Sequence, residues 1–187
     1  MKSGANLTNH FLIAMPGLKD SNFFHTVTYI CEHNEDGAMG IVLNRPTDLQ
    51  LNDILEQLDI PASPQAAGSQ TIYLGGPVQT DRGFVLHSSD REWDSTLCIT
   101  PQISVTTSRD ILESIAEEKG PSKTLVALGY AGWGQGQLED ELSANAWLSG
   151  PAEESIIFEL PAEKRWAAAA DLLGVDLNLL SGEVGHA

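Results

Sequence analysis

Cys31 and His33 have the spacing that best suits covalent chemistry in this chain. They stand in the run Cys31-Glu32-His33-Asn34-Glu35-Asp36, at the end of a strand-like stretch. Side chains alternate along a strand, so His25, Val27, Tyr29, Cys31 and His33 are expected on one face. A histidine beside a cysteine stabilises the thiolate, which is the form that attacks in acyl or redox chemistry. The competing reading is structural and has the stronger base. Cysteine is among the most buried residue types, and polar residues beside a turn usually satisfy backbone groups. His25 lies more than ~20 Å from His33 along an extended strand, too far to share a metal with it. The two cysteines, Cys31 and Cys98, do not have zinc-ligand spacing. No metal site and no cofactor are expected.

Two further clusters offer binding rather than covalent chemistry. Leu74-Gly75-Gly76-Pro77-Val78 is followed by Arg82-Gly83-Phe84-Val85-Leu86-His87-Ser88. Paired glycines before a proline mark a tight turn or a close approach of another segment. His87 and Ser88 fall on opposite faces of a continuing strand, so they do not form a catalytic pair. The third cluster is Gly129-Tyr130-Ala131-Gly132-Trp133-Gly134-Gln135-Gly136-Gln137, read as a loop between a strand and a helix. Glycine-rich loops there can cradle phosphate. This one has neither the dinucleotide nor the P-loop spacing, and Glu139, Asp140 and Glu141 open the helix with charges that repel an anion. Its other use is as a flexible, aromatic loop lining a neutral pocket or a partner contact around Tyr130 and Trp133. The candidate binding residues are therefore Glu32, Asn34, Gly75, Gly76, Arg82, His87, Tyr130, Gly132, Trp133 and Gln137.

The elements that must position these residues are short. Strands are expected at Phe11–Met15, His25–Cys31, Ala38–Leu43, Thr71–Leu74, Phe84–His87, Leu97–Ile99, Ile103–Thr106, Thr124–Leu128 and Ile156–Phe158. The second and third flank Asn34-Glu35-Asp36-Gly37, which reads as a hairpin turn. Leu51, Ile54, Leu55 and Leu58 make one helical stripe; Ile111, Leu112 and Ile115 make another, stopped by Gly120-Pro121. A short helix is expected over Gln137 to Asn145. A last one carries Trp166, Ala169, Ala170 and Leu173 between Pro161 and Gly174. Strands and helices do not alternate strictly, which disfavours a doubly wound parallel sheet. The expected fold is α+β: a mixed, largely antiparallel sheet with a small β-barrel-like core and helices packed outside.

The chain has 187 residues, enough for one domain with one buried core. Pro61 to Gln70 reads as a surface loop, and Ser181 to Ala187 as a tail with little to bury. Ten Lys and Arg stand against 26 Asp and Glu, a formal net charge of −16. Such a surface repels nucleic acid and anionic membranes, because their phosphates need cations to displace condensed counterions. The first residues contain no apolar stretch of signal-peptide length, and nothing later reaches spanning length. A cytoplasmic protein with reduced thiols is expected.

Several long runs resemble the AlgH/YqgE family. They are Phe11 to Pro16, Phe24 to Asn34, Gly37 to Gly40, Asn44-Arg45-Pro46, Gly75 to Val78, Arg82 to Ser88, Gly129 to Trp133, Gly136 to Glu139 and Asn145 to Leu148. The resemblance covers nearly the whole chain. It implies a bacterial, cytoplasmic protein with an α+β fold containing a small closed β-barrel. One branch is named for control of alginate production, and members are often labelled transcriptional regulators. No general activity or cofactor comes with the family, so it supplies no catalytic residues. The charge and the lack of a helix-turn-helix pattern conflict with direct DNA contact. The resulting expectation is a regulatory or interaction protein acting through a protein partner or small ligand. A Cys31/His33 thiol enzyme and a direct DNA-binding regulator are the alternatives.

Overall fold

A computed structural model describes residues 6–16, 25–61 and 70–174. Most of the loop expected at Pro61 to Gln70, and all of the Ser181 to Ala187 tail, lie outside the described residues. The strands are β1 (His10–Ala14), β2 (Val27–Asn34), β3 (Gly37–Val42), β4 (Pro46–Gln50), β5 (Thr71–Leu74), β6 (Val78–Ser88), β7 (Thr96–Cys98), β8 (Ile103–Thr106), β9 (Thr124–Trp133) and β10 (Trp147–Pro151). The helices are α1 (Leu51–Gln57), α2 (Arg109–Ala116), α3 (Gln137–Ser143), α4 (Glu154–Phe158) and α5 (Ala162–Leu172).

The strands form one curled sheet in the order β10-β1-β2-β3-β9-β6-β8-β7, with β4 and β5 branching off β9. All described pairings are antiparallel except β5 with β9. The fold is thus α+β, as its element pattern suggests. The closed barrel implied by the resemblance is instead a half-barrel, because the strand path ends at β10 and β7 without joining them.

Alternation along the central strands feeds cores on opposite faces. Phe84 and Leu86 of β6, with Leu125 and Ala127 of β9, join Phe11, Tyr29 and Ile41 inside the curl, where α4 and α5 contribute Ile156, Ile157, Ala169 and Ala170. Val85 and Val126, one residue out of phase, meet Leu51 and Leu55 of α1 and Ile111 and Ile115 of α2. A third cluster sets Leu12, Ile30, Ala131 and Trp133 against Leu138 of α3. These strands are buried on both sides, so they read as continuous apolar runs.

Three expectations fail for identifiable reasons. Ile156–Phe158 lies in helix α4; three apolar residues are too few to show a period. Strands β4 and β10 carry little apolar signal: β4 is polar and mostly exposed, and β10 reads Trp-Leu-Ser-Gly-Pro. Gly129 to Trp133 is the second half of β9 and not a flexible loop, since pairing with β3 and β6 overrides the low strand preference of glycine.

Candidate functional site

A β-bulge separates Cys31 from His33. The β2–β3 ladder shifts register between Ile30 and Glu32, so one extra residue stands on β2. Upstream of the bulge, Tyr29 and Cys31 face the interior of the curl. Downstream the phase is reversed: Glu32 and Asn34 line an open groove, while His33 turns toward Leu7 and α3. The expected shared face of Cys31 and His33 is therefore incorrect. The Cys31 thiol is 1% exposed, and burial pushes its pKa up, with Glu32 adding to the rise. That favours the unreactive thiol and removes the geometric basis for a Cys31/His33 catalytic pair.

His33 is a joint between elements. Its Nδ1 accepts the Leu7 N–H at 2.9 Å, which leaves Nε2 as the donor to the Glu139 carboxylate, also at 2.9 Å. The Glu139 pKa is lowered by its own backbone N–H and by His33. His87 is equally committed. Its Nδ1 donates to the Ser88 carbonyl at 2.7 Å, so its Nε2 accepts from the Thr106 hydroxyl at 2.7 Å. Thr96 then donates to Thr106, and the Trp93 N–H donates to Thr96. Burial lowers the His87 pKa, against smaller opposing effects of Ser88 and Asp90. The His87 imidazole is buried and both of its ring nitrogens are engaged within the fold.

The remaining candidates divide in the same way. An added Cβ on Gly76 would lie 2.1 Å from the Tyr130 carbonyl carbon, and one on Gly75 would lie 2.4 Å from the Gly129 oxygen. These glycines permit β9 to pass closely; they face backbone, not ligand. Gln137 caps the Gly134 N–H at 2.9 Å and donates to Glu141 at 3.0 Å. Glu141 in turn accepts the indole N–H of both Trp133 and Trp147, each at 2.9 Å. The acidic start of α3 is thus a set of carboxylates that tie β2, β9 and β10 to the helix. No sequence period marks this: His33 is 106 residues from Glu139, and the two indoles, though near Glu141 in the chain, stand on separate strands.

Six candidates do converge. Glu32 and Asn34 from β2, Arg82 from β6, and Tyr130, Gly132 and Trp133 from β9 line one open groove of about 660 Å³. Its floor is formed by Phe84 and Val105, two buried residues of the main core. The Tyr130 ring meets Phe84 edge-on at 5.5 Å, and an added Cβ on Gly132 would lie 3.2 Å from the same ring. Arg82 projects from a second irregularity. Val78 pairs with Tyr130 and Gly83 with Leu128, so β6 spends extra residues between two close positions on β9. The guanidinium stands 5.6 Å from the Phe84 ring centre and donates to Thr107 at 3.3 Å. Asp36 and the exposed Leu97 of edge strand β7 complete the rim. No sequence motif marks Leu97 and Thr107; the β6–β8–β7 pairing brings them here.

Comparison with known proteins agrees with this architecture. A family model described as AlgH-like matches residues 11–178. The chain belongs to the AlgH-like family. It is 60% identical to a UPF0301 protein of Thioalkalivibrio sulfidiphilus and 54% identical to one of Nitrosococcus oceani, each over the full length of both chains. The solution structure of the AlgH protein from Pseudomonas aeruginosa superposes with a TM-score of 0.81 at 54% identity, covering 97% of each chain. A protein from Corynebacterium diphtheriae shares the fold at 21% identity, with a TM-score of 0.75 over 97% of this chain and 94% of that one. Among the described residues of this family member, no helix is long and apolar enough to cross a membrane.

Proposed function

We propose that this chain is a regulatory or interaction protein that binds a small ligand, or an extended segment of a protein partner, in the groove around Tyr130 and Arg82. The carrying observation is convergence: three strands bring six residues, singled out in separate sequence motifs, around one volume. The size is within the range of ligand clefts. The Tyr130 ring, backed edge-on by buried Phe84, offers a surface for stacking, and among the described lining residues Arg82 is the one cation, beside two carboxylates, Glu32 and Asp36. Among the described residues, no cysteine or histidine lines the groove, which favours binding over thiol chemistry there. The net charge of −16 favours a partner other than DNA, so regulation of transcription would be indirect.

The test is a thermal-shift screen against nucleotides, metabolites and acyl compounds, paired with photo-crosslinking from position 97 in cells. A compound that binds the fold raises the midpoint, by about 2.7 kcal/mol of stability at a hundred times its dissociation constant. The expected result is a compound or a reproducible crosslinked partner lost in both Arg82→Glu and Tyr130→Ala. Hits that survive both substitutions, or blanks in both arms, refute the groove as the site.

A further inference from the structure

We propose that the cavity at the opposite end of β9, around Arg165 and Lys123, binds a phosphate group. Arg165 is set by the first turns of α5 and is 5% exposed. Its Nε donates to the Leu160 carbonyl at 3.1 Å, and one Nη1 N–H donates to the Leu43 carbonyl. Its guanidinium carbon stands 5.0 Å from the centre of the Tyr73 ring. All of these partners are neutral. Among the described residues, no carboxylate lies within ion-pair distance of Arg165. A guanidinium does not give up its proton, so a buried charge remains without a counter-ion, a costly arrangement.

The unused donors have an outlet. Nη2 has no hydrogen-bond partner, yet the one sealed side-chain polar atom without a partner, among the described residues, is Thr28 Oγ1. Nη2 therefore reaches solvent, and Arg165 lines a cavity of about 370 Å³. Lys123 lines the same cavity. Its Nζ is 3.3 Å from Glu159, in a pair whose side chains are 38% and 58% exposed. An exposed pair of that kind contributes little and yields readily to a better-placed anion. Thr71, Tyr73 and Ser122 add hydroxyl-bearing side chains to the wall.

Two of only ten basic residues thus meet in one concavity on a chain of net charge −16. An anion repelled by the rest of the surface finds a local positive field here. The contrast with the other cavities is clear: Arg82 shares its groove with Glu32 and Asp36, and Arg109 is held by Glu113 at 3.1 Å. A phosphate group presents three oxygens and nearly two negative charges, which can answer two separate cations and a hydroxyl together. The site is independent of the Tyr130 groove, six residues away along β9.

The experiment is a titration of the isotope-labelled full chain with inorganic phosphate, followed by nuclear magnetic resonance, with chloride at matched ionic strength as control. Saturable shifts are expected at Tyr73, Ser122 to Leu125 and the Arg165 Nε–H. Lys123→Gln, a partly exposed site whose change leaves the fold intact, should weaken binding by about tenfold. Replacing Arg165 itself would disturb the Leu43 and Leu160 carbonyls, so Lys123→Gln and Tyr73→Phe carry the test. A parallel titration with glycerol phosphate separates sources: tighter binding than inorganic phosphate marks an esterified metabolite, and weaker binding marks the free ion. Absence of shifts at these residues, equal shifts with chloride, or full binding by Lys123→Gln overturns the proposal.

Discussion

Cys31 and Cys98 respond to opposite environments at the scale of single residues. Both are free, the first buried and the second exposed. A thiol reagent should therefore modify one group per folded chain, Cys98, and reach Cys31 only on unfolding; absorbance titration before and after denaturant checks this. The Cys31 thiol also makes stability depend on pH. Burial raises its pKa in the fold, so the folded chain keeps a proton that the unfolded chain releases above about pH 8.5. The stabilisation is fully present below that pH and is lost as pH rises. The slope steepens from near zero below about pH 8 toward about −1.4 kcal/mol per pH unit near pH 10, where unfolded tyrosines begin to titrate and the raised pKa of buried Tyr29 adds to the loss. Denaturant midpoints from pH 8 upward should fall more steeply for the native chain than for Cys31→Ala. Equal slopes would show that the thiol is not held protonated by the fold. Such environments are illegible in sequence. The alternation rule places Cys31 correctly with Tyr29, but the bulge at Ile30–Glu32 is set by pairing with β3 and reverses everything after it.

Helix α3 shows how one element is fixed by others. It is only seven residues long and has a left-handed glycine at its start, too short to be stable alone. Its apolar anchor is Leu138, and its carboxylates at 139 and 141 bond His33 and the two indoles. Glu141→Ala would remove the carboxylate that accepts from both indole N–H groups and links the end of β9 to β10. The expected cost is about 3 kcal/mol, read as a lower urea midpoint with an unchanged denaturant slope. A loss well under 1 kcal/mol would mean that water replaces the carboxylate without penalty. The sequence shows that α3 exists and that its start is acidic. It does not show the acids' second role: they complement the helix dipole, and Glu139 and Glu141 also bond His33, Trp133 and Trp147.

The charge is the dominant property of the whole molecule. With −16 overall and basic residues dispersed, the chain should not bind duplex DNA even at low salt, where phosphate contacts are strongest. Fluorescence anisotropy of labelled duplexes across a salt series checks this; an affinity that falls steeply with salt would establish direct DNA contact and refute the partner-based reading. Several properties follow from the sequence by itself. The α+β class, the β2–β3 hairpin, the stripes of α1, α2 and α5 and the acidic surface rest on local period, turn residues and composition, which any short window contains. The family rests on motifs that span most of the chain. Tertiary structure alone decided where those motifs meet. Two bulges turn Glu32, Asn34 and Arg82 toward Tyr130, while close backbone packing withdraws Gly75 and Gly76, and burial withdraws Cys31 and His87. Arg165 and Lys123 line one cavity only because the fold brings α5 beside the start of β9, far from it in the chain. The physical reason is that burial, register and charge pairing depend on partners tens of residues away, and no local pattern encodes which partner arrives.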